Sequence, residues 1–500
     1  ALSAEITQGE NTQQIRSAIA VYSVNIDSEE SQVGVRNTSE GPIYVSLSTT
    51  FVPEAGKRTE AAAEGISLKA IYLSEDGKEM NIWDAFCHEG KHIKNGESAD
   101  VSCDHYHLYK DDVKLMVEAG LQAYRFSISW SRILKSEVGR DGRLTFVENP
   151  KGIAFYDSLI NELLANKITP FITLYHWDLP QSVYEKGGWL NREISDWFEF
   201  YARTVVNHFG DRVKNFITFN EPSVFVGMGY KDGVHAPGYK LSSRDLVIIG
   251  HNVHLAHGKA VRLIHECVKD AKVGITLATM PVLPENKSEE AVKAAYEDYF
   301  ACSREHAAWA ESFWLDPIVK GAYPESLVAE CGDLAYLFSK EDMDIISEKI
   351  DFVGLNIYQG RYAKADMRAA GAPHTDLNWN ITPDALYWGT KFFYERYKLP
   401  IYITENGMAC HDYVSLDGKV HDPNRIDYLN RYLLGLKEAA ESGVDVRGYF
   451  QWSLMDNFEW AEGYDPRFGL IYVDFVTGNR IIKDSAWAYK QIIETNGKTI

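Results

Sequence analysis

Residues 400–407 read PIYITENG: apolar and β-branched residues run into a carboxylate, Glu405, before the chain breaks at Asn406-Gly407. A run this apolar suits a strand covered on both faces, and an acid at its end is costly unless something pairs with it. NFITFNEP (215–222) repeats the pattern, ending on Glu221 ahead of a proline. Outward from these two, similar runs stand at AYRFSISW (123–130), ITPFITLYHW (168–177), KVGITLATMPV (272–282), DFVGLNIY (351–358) and VRGYFQWSL (446–454). Helical patterns lie between them, such as YKDDVKLMVEAG (109–120) and RIDYLNRYLLGLKEAAESG (425–443), each stopped by a glycine. Buried strands alternating with helices imply a parallel sheet with helix-covered faces. The sequence therefore predicts an α/β fold, a (β/α)8 barrel over residues 81–500, with one of its eight strands not visible in the pattern.

Residues 1–80 have another texture. IRSAIAVYSVNI (15–26), SQVGVRNTS (31–39), PIYVSLSTTFV (42–52) and ISLKAIYL (66–73) alternate with period two and are separated by turn residues, an antiparallel β pattern. The change of texture puts a boundary near 75–81 and defines a β-rich N-terminal segment. A barrel one strand short would leave two unpaired edges. ISLKAIYL is accordingly expected to supply strand one.

Charge narrows the partners. With 51 basic against 71 acidic residues, the net charge of −20 argues against nucleic acid and anionic membrane surfaces and suits a neutral or cationic small molecule. No apolar run reaches the length of a membrane-spanning helix. The opening ALSAEITQGENTQQ has neither the basic region nor the apolar core of a secretory leader, and lacks a Met. The six cysteines are scattered with no CxxC spacing, which points to reduced thiols and a cytoplasmic address. His105 and His107 form no paired-ligand spacing, so no metal and no cofactor is assigned. Nothing in the pattern speaks to oligomeric state.

In a barrel of this kind the chemistry sits at the C-terminal ends of the strands. There the sequence places Arg125, His176-Trp177, Asn220-Glu221, Asn356 with Tyr358, Glu405, Trp452, and the segment DNFEWAEGY (456–464). Two carboxylates facing each other across a barrel mouth are what glycoside cleavage requires. Retention of configuration calls for about 5–5.5 Å between them, one attacking and the other serving as acid and then base. The two must titrate differently, which a cation or a tyrosine hydroxyl beside one of them achieves.

Ordered stretches over roughly residues 81–490 carry a resemblance. They are NIWDAF, CDHYHLYKDDVKLM, YRFSISWSRI, LYHWDLP, TFNEP, DFVGLNIY, ITENG and WSLMDNFEWAEGYDPRFGLIYVDF. Together they resemble the family 1 glycoside hydrolases, the β-glucosidase family. The resemblance implies a retaining, exo-acting β-glycosidase for terminal glucosyl or galactosyl residues. It implies Glu221 as acid/base, Glu405 as nucleophile, and Arg125 and Tyr358 as supports of the nucleophile. It further implies His176, Trp177, Asn220, Asn356, Trp452, Glu459, Trp460 and Phe468 as sugar-binding residues. An acid at Glu459 favours an unphosphorylated sugar over the 6-phospho-β-glucosides that another branch cleaves.

The N-terminus departs from that family. Its usual opening strand, with a sugar-binding Gln, has no counterpart before NIWDAF, and residues 33–80 hold no Gln. Loss of that group removes about 1–3 kcal/mol of sugar binding, so the alternative expectation is a weakened, carbohydrate-binding protein. Residues 30–80 faintly resemble a β-module of bacterial alpha-2-macroglobulins.

Overall fold

The apolar runs become strands, joined in one all-parallel sheet of seven. They are β1 (Ala123–Ser127), β2 (Thr169–Tyr175), β3 (Asn215–Asn220), β4 (Lys272–Ala278), β5 (Phe352–Asn356), β6 (Ile401–Asn406) and β7 (Val446–Gln451). The computed structural model describes residues 76–90, 92–362 and 371–500 in full, and before them the backbone of Ser3–Gln8, Asn11–Arg16, Val33–Asn37, Ile43–Val45 and Ile71–Leu73. Each strand pairs with its neighbours in chain order, with a helical connection between, so the arrangement is that of a (β/α) barrel. The register places Asn220 beside Thr276 and Asn356 beside Glu405, so the C-terminal strand ends stand level and share one rim.

The strands are shorter than the apolar runs because the chain turns sharply where the rim begins. Trp177 and Glu221 have φ of 80° and 49°, left-handed backbone that ends extended structure, and Trp130–Ile133 is already helical. The pattern at 109–120 forms the helix His105–Glu118, and that at 425–443 forms Pro423–Glu441. Periodicity did not signal the hairpin Leu134–Val138 with Leu144–Glu148, which closes around the Gly-Arg-Asp-Gly turn.

Strands β2 to β6 are almost wholly buried, whereas β1 and β7 are half-buried along their lengths. Among the described residues these two do not pair with each other, and a cavity of about 790 Å³ lies between them. Of the segment expected to supply strand one, the described part is Ile71–Leu73. Ile71–Leu73 pairs antiparallel with Ile43–Val45 in a separate two-stranded sheet. The rest of 66–73 lies outside the described residues. The antiparallel texture expected before residue 80 is present, but as Ser3–Gln8 between Asn11–Arg16 and Val33–Asn37.

The outer layer is set by the 25-residue helix Ser243–Cys267, which starts at a Ser242 cap and packs on Ile194–Phe209. Three of its four histidines are internal fasteners: His251 meets Asp342 at 3.0 Å, His254 meets the Tyr323 hydroxyl at 2.9 Å, and His257 meets Thr218 at 2.7 Å. Burial pushes His257 down to about 3, so it packs as a neutral ring. Among the described residues no helix is long and apolar enough to cross a membrane.

Candidate active site

The strand ends surround a cavity of about 1100 Å³. Glu405, at the end of β6, is 4% exposed and is gripped from two sides. Arg125 Nη1 donates to its Oε1 at 2.6 Å, and the Tyr358 hydroxyl donates to its Oε2 at 2.8 Å. A charged donor on one oxygen and a neutral donor on the other fix the carboxylate in orientation. The Tyr358 hydroxyl is pushed well above the ordinary tyrosine range, by burial first and then by the charges of Glu405 and Glu221, so it stays a donor.

Glu221 stands in the opposite electrostatic condition. Its left-handed backbone, followed by Pro222, starts the short helix Pro222–Val226 and turns the side chain into the cavity. Asn356 Nδ2 donates to its Oε1 at 2.8 Å, and among the described residues no cation is bonded to it. Burial, and then the negative charge of Glu405, push the Glu221 carboxyl up to about 8. One acid is thus clamped by two donors, while the other, raised to about 8, keeps its proton at neutral pH.

A second layer holds these groups. Arg125 also donates to Thr173 Oγ1 at 3.1 Å and to Asn220 Oδ1 at 2.5 Å. The hydroxyls of Tyr428 and Tyr432 both donate to the Tyr358 carbonyl at 3.0 Å. Behind the rim loops lies a buried charge lattice: Asp412 joins Arg425 (2.7 Å) to Lys483 (2.5 Å), and Asp456 joins Lys483 (2.7 Å) to Arg467 (2.6 Å). Charges this deep are tolerated because each has an opposite partner. The lattice anchors the chain that follows β6 and β7.

The cavity wall contains His176, Trp177, Asn356, Trp452, Glu459, Trp460 and Phe468, all anticipated from the sequence. Arg125 and Asn220 stand behind the wall rather than in it. Asn220 is fully buried and bonded to Arg125, Asn356 and His176. Burial and the charge of Arg125 push His176 down to about 3, so its ring is neutral. Glu459 is pushed up to about 8, first by burial and then by Glu405. Trp460 packs within a tryptophan group, 4.5 Å from Trp83 and 4.8 Å from Trp177 between ring centres. His176 and Trp452 line this cavity and also the gap between β1 and β7.

Thr279, Tyr299, Glu311 and Trp379 also line the cavity and were not anticipated. Thr279 directly follows β4, so the rule that strand ends carry chemistry could have found it. Glu311 lies in the apolar stretch AAWAESFWL, where a single acid reads as a helix-start residue, and nothing local signals that it faces a cavity.

Comparison with known proteins fits this geometry. The model of "Glycosyl hydrolase family 1" matches residues 71–498, wider at both ends than the motifs alone suggest. The chain is 45% identical to Beta-glucosidase A of Thermotoga maritima over 439 residues, covering 84% of this chain and 93% of the relative. It is 40% identical to Beta-glucosidase A of Acetivibrio thermocellus, covering 87% and 97% of the two chains. The solved structure of the Thermotoga maritima β-glucosidase in complex with glucoimidazole superposes with a TM-score of 0.76 at 45% identity, covering 85% and 94%. The faint likeness of residues 30–80 to an alpha-2-macroglobulin module gains no support from these comparisons. The chain belongs to glycosyl hydrolase family 1, and it is a glycoside hydrolase.

Proposed function

We propose that this protein is a retaining β-glucosidase that removes one terminal β-D-glucosyl residue by double displacement. The observation that carries the reading is the unequal treatment of the two glutamates: Glu405 is clamped by Arg125 and Tyr358, while Glu221 is pushed up to about 8. Glu405 attacks the anomeric carbon as Glu221 gives its proton to the departing oxygen. Forming the glycosyl ester removes the charge of Glu405, one of the causes that hold the Glu221 proton in place. Glu221 thereby becomes a stronger acid and, once deprotonated, serves as the base that activates water. The glucosidase names of the relatives support glucose as the sugar.

His176, Glu459 and Trp460 serve the sugar hydroxyls, Asn220 holds His176 from behind the wall, and Trp452 gives an apolar floor. Among the described residues the cavity wall has no lysine, and its one arginine, Arg361, is bonded to Asp298 at 2.8 Å. A sugar 6-phosphate would enter without a cation to receive it, which favours the unphosphorylated substrate. The test is hydrolysis of p-nitrophenyl β-D-glucoside followed by proton NMR. The first product expected is β-glucose, with the 6-phosphate analogue cleaved more slowly. Release of α-glucose first, or faster cleavage of the phosphate, contradicts the reading.

A further inference from the structure

The cavity of about 1100 Å³ is larger than one hexose ring requires, since pockets for drug-sized ligands span roughly 300–1,000 Å³. Part of its wall has polar groups that the two displacements leave unused. The Thr279 amide donates to the Asn356 carbonyl at 3.0 Å, and Asn356 Nδ2 donates to Glu221 at 2.8 Å, so Thr279 lies on the Glu221 side of the site. That is the side on which the leaving oxygen takes its proton. From there a directed relay runs outward: the Tyr299 hydroxyl bonds Thr279 Oγ1, and Thr279 Oγ1 donates to Glu311 Oε1 at 2.6 Å.

Glu311 opens the helix Glu311–Lys320 and is 7% exposed. The relay satisfies one oxygen and fixes the plane of the carboxyl. The other oxygen, Oε2, has no partner among the described residues, yet it is not among the sealed, unsatisfied atoms of the interior. Glu311 lines the cavity, so that oxygen is open to a ligand. A helix-start acid with no further role would turn to solvent, where it meets the helix dipole without the cost of burial. Burial instead pushes this carboxyl up to about 8, so near pH 7 it presents a hydroxyl that can donate as well as accept.

We propose that Glu311 is a specificity residue for the leaving group, hydrogen-bonding a hydroxyl of a second sugar and thereby favouring disaccharides over aryl glucosides. The inference rests on the reading of Glu221 as the acid that protonates the leaving oxygen. The experiment compares kcat/KM for cellobiose and for p-nitrophenyl β-D-glucoside in the wild type, Glu311→Gln and Glu311→Leu. Glu311→Leu should lose about tenfold on cellobiose, the worth of one good hydrogen bond, and less than about threefold on the aryl glucoside. Glu311→Gln, which keeps a donor and an acceptor, should stay within about threefold of the wild type on both. If Glu311→Leu does not fold, Thr279→Val reads the same ratio by removing the hydroxyl that orients the carboxyl. Equal losses on the two substrates, or unchanged cellobiose turnover, overturn the specificity role. A wild type that cleaves neither substrate overturns the glucosidase reading, and this inference with it.

Discussion

Glu221 must hold a proton in the first displacement and lack one in the second. Its surroundings are built for that reversal, because one of the causes that raise it, the charge of Glu405, disappears when the glycosyl ester forms. The direction of the pH effect follows. The group is raised to about 8, so the proton needed for leaving-group departure is present below that pH and lost as pH rises through it. The kcat/KM for an alkyl glucoside, which needs the acid, should fall above about pH 8. Glu221→Ala should remove that descending limb, retain substrates with good leaving groups, and regain turnover with azide. A limb that survives the substitution would assign it to another group. At this scale much was legible: a carboxylate ending a buried strand is conspicuous because burial penalises it, and Glu221 and Glu405 both stand out in that way. Glu311 did not, since what makes it unusual is a fold that carries a helix start inward against Thr279.

The elements show why strand ends are easier to read than helix contacts. The inner staves β2 to β6 have near-continuous apolar runs, and the parallel register then brings Asn356 to Glu405 and Asn220 to Thr276 without further information. The packing of helices depends on close approaches that a single sequence does not display. Gly258, inside Ser243–Cys267, is one of them: a Cβ there would lie 2.0 Å from the Ile345 carbonyl oxygen, on the backbone of the neighbouring helix Lys340–Ile346. A backbone cannot yield as a flexible side chain can, so the two helices would have to part. Gly258→Ala should therefore cost about 1–3 kcal/mol despite its better helix propensity, lowering Tm in a thermal melt. An unchanged or higher Tm would show that this contact is loose.

Across the whole molecule, the sequence implied eight staves and the described residues supply seven. Strands β1 and β7 are half-buried and each has one neighbour among the described residues, whereas β3 lies between β2 and β4 and is buried. Amides of 123–127 and 446–451 should accordingly exchange with deuterium faster than those of 215–220. Equal protection would mean that a further strand fills the gap. That gap also reaches the reaction site, since His176 and Trp452 line both cavities. The N-terminal region was the least legible part, because period-two alternation identifies β structure without identifying strand partners. The central claim is the covalent role of Glu405 within this barrel, and trapping tests it most directly. The protein is incubated with 2,4-dinitrophenyl 2-deoxy-2-fluoro-β-D-glucoside, and its peptides are mapped by mass spectrometry. A stoichiometric burst of dinitrophenolate, with one fluoroglucosyl label on Glu405, is the predicted result; no label, or a label on Glu221 or Glu459, contradicts it.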